Sequence, residues 1–250
     1  MDVASLFGCF LASASVIGAQ IFGGGELLAL LQPGAVWIVV IGTWGAVMLS
    51  FPMKDLLRAL SAVPSIFVRV DLDSKPVVED IVRIALIARK EGVLAVEGSR
   101  ASIRDPLFQR TIKYVIDGFE AATVKEIIDS EIDLLLQAEE RAAHVFEAAG
   151  AYAPTVGIIG AVLGLIQVMG LLSEPAKLGA GISVAFVSVL YGLALSNLVF
   201  LPVAAKLRRN AAERVRARQV VRLGVTGILE GLNPQFLKER LEVLIREAGR

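Results

Sequence analysis

Four stretches of this sequence carry no charged residue for longer than a bilayer is thick. Twenty-three residues separate Asp2 from Glu26, 27 separate Glu26 from Lys54, 26 separate Glu147 from Glu174, and 28 separate Lys177 from Lys206. A helix needs about 20 predominantly apolar residues to cross roughly 30 Å of hydrocarbon. Each stretch meets that length, so the chain reads as two membrane hairpins with most of its charge between and after them. The predicted fold is all-α: four transmembrane helices in two hairpins (1–53 and 148–205), a large cytoplasmic helical domain (54–147) and a cytoplasmic helical tail (206–250).

The formal net charge of zero is a sum of unlike parts. The segment Lys54–Glu147 holds 13 Lys/Arg and 17 Asp/Glu, whereas Lys206–Arg250 holds 11 and 5. Cationic flanks resist translocation, so basic residues beside spans mark the cytoplasmic side. Lys54, Arg58, Lys206, Arg208 and Arg209 all flank spans, while the connectors at 23–26 and 173–178 hold a single lysine. Both termini and the middle segment are therefore expected in the cytoplasm. The first span is read as an uncleaved helix, because its leading Met-Asp offers none of the basic residues of a signal peptide. Cys9 lies inside it as the sole cysteine, can form no intrachain disulfide, and is read as a small packing residue.

Local signals place the elements. Span one is expected near Val3–Phe22, ending in the turn-forming Gly23-Gly24-Gly25. Pro33 opens span two and Pro52 closes it, with Trp37 as an interfacial anchor and Trp44 as a packing residue. Val77, Val78, Ile81, Ile84, Ala85 and Ala88 form one apolar helix face. Asp105-Pro106 reads as an N-cap with proline at the first helical position. Thr123 and Glu126 have the form of a capping box, so a helix is expected to begin near Val124. No glycine or proline follows until Gly150 and Pro154, which predicts one long helix running into span three as a rod. Leu198–Ala217 is expected to continue span four as a basic helix. His144, on the long helix, is read as a surface histidine.

The second hairpin differs in texture. Gly150, Gly157, Gly160 and Gly164, then Gly179, Gly181, Ala185, Gly192 and Ala194 line it, and Gly160 and Gly164 form a GxxxG that lets helix backbones approach closely. Helix packing alone accounts for these glycines. It does not account for Pro154, whose missing N–H leaves the Gly150 carbonyl without its helical donor. Such carbonyls are tolerated in membranes where they face protein or a water-filled cavity. None of the four spans contains Asp, Glu, Lys, Arg or His. Ion-coupled proteins almost always hold an ionisable group in the membrane, so either this chain moves no ion or a partner supplies the titrating group.

The run Ala151–Leu165, with Pro154, Thr155, Gly157, Gly160 and Gly164, resembles span three of the flagellar motor stator A-subunits. These are the MotA branch of the MotA/TolQ/ExbB proton channel superfamily. Ala185–Gly192 and Asn197–Leu207, with Tyr191 and Pro202, resemble span four. Gln32-Pro33, Gly42-Thr43 and Ser50-Phe51-Pro52 match the second span, and Ala88–Gly92 with Glu97 match the cytoplasmic segment. The resemblance implies no enzyme activity and no cofactor. It implies a ring of five A-subunits around two helices of a MotB-like, single-span, peptidoglycan-binding subunit whose membrane aspartate carries the ion. Ion passage would turn the ring, which pushes the rotor protein FliG. Membrane lipid completes the expected partners, and no nucleic acid is among them.

By the same resemblance, Pro154, Thr155, Ala161, Ser188, Val189, Tyr191 and Pro202 belong to the ion path. Sodium-type relatives carry threonine at the positions of Ala161 and Val189; both are apolar here, which favours protons. Many proton-type relatives also keep a threonine at the position of Val189. Ser188 lies next door, but adjacent helix residues point about 100° apart, which leaves Thr155 as the expected polar group on the path. Arg89, Lys90, Glu91 and Glu97 are either an ordinary solvated face or the rotor contact. On the second reading, charge reversal at Arg89 matters more than at Arg69, outside the matched segment. An ExbB- or TolQ-like subunit, typically of three spans, and a non-conducting membrane scaffold are the alternatives.

Overall fold

The computed structural model describes residues 3–68, 75–170, 173 and 175–248; Asp2, Arg69 and Glu174 lie outside them. Among the described residues every regular element is helical. Four helical segments are long and apolar enough to cross a membrane. The chain divides into two compact units, 1–69 with 139–209 and 70–138 with 210–250.

In the first unit, span one is a single helix, Val3–Phe22. No residue of its apolar stretch Ser5–Phe22 is buried, and Cys9 is exposed, not packed. Gly24, at φ 71°, supplies the left-handed turn at its end. A short 3₁₀ turn, Leu27–Leu30, leads to span two. Span two is helical in three consecutive pieces: Pro33–Val36, a π turn at Trp37–Ile41, and Gly42–Ser50. Ala35, Val39, Thr43 and Val47 recur every fourth residue, and all four are fully buried. Trp37 is exposed, whereas Trp44 meets Phe200 edge-on at 6.1 Å, which bears out its packing role.

The long helix runs unbroken from Ala121 to Gly170 with Pro154 inside it. It begins at Ala121 because the Glu120 carbonyl already accepts from Val124 N. Thr123 is therefore inside the helix and does not cap it, contrary to the capping-box expectation. Span four is Pro175–Ala194, followed by a π turn at Leu195–Phe200 and the helix Leu201–Leu229. Alanine-rich faces let these helices meet closely: Ala142, Ala149 and Ala153 are buried with Phe146, Phe200 and Leu207.

The second unit is a helical domain with its own core. Helix Lys75–Glu91 buries Val78, Ile81, Ile84 and Ala85, as its periodicity predicts. It stops at Gly92, whose φ of 90° and ψ of 161° lie in a region that glycine adopts without steric cost. A 3₁₀ segment, Val93–Ser102, leads to helix Pro106–Ile116, where Asp105 accepts from Phe108 N at 2.8 Å as the expected cap. The end of helix Leu201–Leu229 packs on this core through Gly224, where an added Cβ would lie 2.5 Å from Ile81 Cδ1. Helix Pro234–Ala248 adds the buried Leu237 and Leu241.

Candidate ion-path site

The second hairpin is an antiparallel seam of small residues. A Cβ placed on Gly164 would lie 3.0 Å from the Cα of Ala185, and one on Gly160 would lie 2.7 Å from the Cβ of Ser188. On Gly157 it would meet the Ser188 carbonyl at 2.8 Å; on Gly192 it would meet the Ala153 carbonyl at 2.6 Å and the Cα of Pro154 at 3.2 Å. Each step back along span three thus matches a step forward along span four. Backbone approach of this kind needs glycine.

At the level of Pro154 the register brings span four's π turn against the carbonyl that the proline leaves free. Ser196 Oγ donates to the Gly150 carbonyl at 2.6 Å, and Ser196 is buried. The carbonyl therefore faces protein and is satisfied. Nothing in a single-sequence reading of span three named Ser196. The signal that finds it is the hairpin register together with the question of which donor replaces the missing N–H.

The residues singled out in the sequence fall into different places. Ser188 is fully buried against Gly160, and its hydroxyl donates to the Val184 carbonyl at 2.7 Å. Thr155 is exposed and donates to the Tyr152 carbonyl at 2.8 Å. Each hydroxyl proton is thus committed to backbone, leaving lone pairs as what the oxygen offers. Of the two, only Thr155 lies on an open face, among the exposed Ile158, Ile159 and Val162. Ala161 and Val189 are half-buried. Tyr191 donates its hydroxyl to the Leu30 carbonyl, and Gln32 Nε2 donates to Ser183 Oγ at 3.3 Å, so two contacts tie span four to the start of span two. Pro202 is exposed and lies just past the π turn. Thr43 Oγ1 is buried with no hydrogen-bond partner among the described residues.

Beside this seam, Arg208 pairs with Glu147, and His144, itself exposed, places Nδ1 3.1 Å from the same carboxylate. Arg89, Lys90 and Glu91 are exposed at the end of helix Lys75–Glu91. Cations there also favour the helix dipole. Glu97 is exposed and 3.4 Å from Arg100. Among the described residues no group of His, Cys, Asp and Glu is placed to hold a metal.

The model of the MotA/TolQ/ExbB proton channel family matches residues 99–220. Motility protein A of Bacillus subtilis is 32% identical over 96% of this chain and 90% of its own length. The chain belongs to the MotA/TolQ/ExbB proton channel family. Its fold is that of a solved C. jejuni MotAB chain, with a TM-score of 0.89, 28% identity, and 98% and 96% of the two chains covered. A chain of the flagellar MotAB stator complex from Bacillus subtilis gives a TM-score of 0.87 at 30% identity, covering 96% and 95%. The likeness runs over the whole chain, the four spans included, and lies with the motility branch of the family. The family is one of proton channels, so its work is ion passage and not catalysis.

Proposed function

We propose that this chain is the A-subunit of a proton-driven flagellar stator. Copies of it form a ring of five around the helices of a MotB-like, peptidoglycan-anchored subunit, and the ring turns against the rotor protein FliG. The observation that carries the reading is a combination: a full-length stator-type fold with four spans that hold no Asp, Glu, Lys, Arg or His. A proton cannot cross such a chain by titrating it, so the carboxylate comes from the partner.

In this reading the hairpins 1–53 and 148–205 lie in the bacterial inner membrane. The segments 54–147 and 206–250, with both termini, lie in the cytoplasm, as the basic flanks favour. Span three presents its open face, with Thr155, to the partner's helix. Span one, with no buried residue in its apolar stretch, faces lipid. Pro154, Ala161, Ser188, Val189, Tyr191 and Pro202 shape the path without titrating, and Arg89, Lys90 and Glu97 meet the rotor. The driving force is the proton gradient plus the membrane potential, the latter worth about 2.3 kcal/mol per charge per 100 mV.

Proton flux into vesicles tests this. Flux is expected when the chain is reconstituted with a MotB-like partner, and none is expected from the chain alone. Flux from the chain alone, or none with the partner present and assembled, overturns the proposal.

A further inference from the structure

Spans three and four hold two backbone irregularities at one level: the proline inside span three and the π turn that interrupts span four. A π turn adds a residue to a helical turn, rotates the downstream helix by about 100°, and often marks a functional place. Here it carries Ser196, whose hydroxyl crosses to the Gly150 carbonyl, and ends at Phe200, buried against Trp44. Leu201, the next residue, covers Gly150: an added Cβ there would lie 2.7 Å from Leu201 Cδ2.

Serine in a helix ordinarily bonds back to a carbonyl three or four residues before it. Ser13, Ser50 and Ser188 do so, to Cys9, Ala46 and Val184. Ser196 instead leaves its own helix and bonds the one carbonyl that Pro154 deprives of a donor. We propose that Ser196 is a positioning residue, the latch that holds the proline break of span three against span four. The break is then a joint fixed by one hydroxyl and not a free hinge. Ser196 touches no ion; it acts by setting where Pro154 and Thr155 stand on the path. Its effect on rotation rests on the stator reading, whereas the latch itself does not.

The test uses the full chain with its partner and four variants: Ser196→Ala, Ser196→Thr, Pro154→Ala, and the double Pro154→Ala/Ser196→Ala. Ser196→Ala is expected to lower the thermal midpoint of the purified chain by about 3 °C or more when Pro154 is present. With Pro154→Ala the restored amide at 154 takes the carbonyl, so the same change should cost under about 1 °C. Equal losses in both backgrounds overturn the latch, because Ser196 would then only pack.

In cells, Ser196→Ala should slow rotation at least about twofold at unchanged membrane level, and Ser196→Thr, which keeps the hydroxyl, should restore it. Normal speed with Ser196→Ala, or equal slowing by both substitutions, overturns the positioning role. If the unaltered chain and its partner neither conduct nor rotate, the stator reading fails, while the midpoints still decide the latch.

Discussion

Arg104 grips Asp80 three times: its backbone amide and Nε donate to Oδ2 at 3.0 and 3.1 Å, and its Nη2 donates to Oδ1 at 3.1 Å. Arg83 adds a contact at 2.8 Å, and the Asp80 side chain is almost fully buried. Burial pushes this carboxyl up, but the hydrogen bonds and charge of Arg104, with the charge of Arg83, outweigh it and hold the carboxyl below its ordinary value. The clamp joins helix Lys75–Glu91 to the loop before helix Pro106–Ile116, inside the unit that also carries Arg89 and Glu97.

Because the folded-state value is lowered, the clamp stabilises fully above the ordinary carboxylate value of about 3.9 and is lost as pH falls from there through the folded-state value. Arg104→Ala removes two side-chain donors from the buried Asp80 carboxylate, which keeps the backbone amide at 104 and Arg83, and is expected to destabilise more than Arg83→Ala, which removes one. Arg83→Ala, at a half-exposed position, should cost under about 1 kcal/mol. Acid and urea unfolding of the purified chain measure both. Equal costs for the two arginines would mean that Arg104 is an ordinary surface pair.

The closeness of spans three and four leads to a second expectation. Gly192→Ala puts a methyl group 2.6 Å from the Ala153 carbonyl, and backbone cannot yield as a side-chain tip does. A loss of about 1–3 kcal/mol is expected, with reduced ion flux as the hairpin spreads at Pro154. Gly45→Ala, in span two, meets no atom within 4 Å and should be neutral or stabilising by up to about 1 kcal/mol. Thermal melts of the two variants in detergent decide it; similar behaviour would contradict the tight seam.

The proposed rotor contact is tested by charge reversal. Arg89→Glu should impair rotation at unchanged membrane level, and a compensating reversal on the rotor should partly restore it. Lys113→Glu, an exposed residue near the end of helix Pro106–Ile116, provides the contrast. Equal swimming of both variants would make the Arg89 region a solvated face, stabilised by its helix end.

The coupling ion is tested by speed. With apolar Ala161 and Val189, and with the Thr155 and Ser188 protons committed to backbone, rotation should follow the proton gradient and stay flat across a sodium titration at fixed pH and potential. A saturating rise with sodium would mean that backbone carbonyls and these two oxygens complete a cation site.

Features that depend on a short window were legible in the sequence. Span one covers Val3–Phe22 as its apolar run implies, Asp105 caps its helix, and the absence of breakers between 124 and 149 does produce one helix into span three. Thr123 and Glu126 misled because a capping pattern is also compatible with a helix interior once residues before it can pair. The π turns and the Ser196 bond were not legible, since they arise from register between helices far apart in the chain. Ser188 shows the same limit: its hydroxyl reads as a candidate for the path, yet the facing Gly160 encloses it.

The buried row of span two has a consequence for how the protein is made. Ala35, Val39, Thr43 and Val47 are covered within their own unit, and the neighbouring Ile38 and Gly42 meet Gly160 and Val156 of span three. Those partners leave the ribosome about a hundred residues later, a delay of roughly 5–20 s at typical synthesis rates. During that interval the first hairpin stands in lipid with its future core face bare, including a threonine hydroxyl. The four-residue spacing of small and β-branched residues therefore has to suit two solvents in succession, bilayer first and protein afterwards.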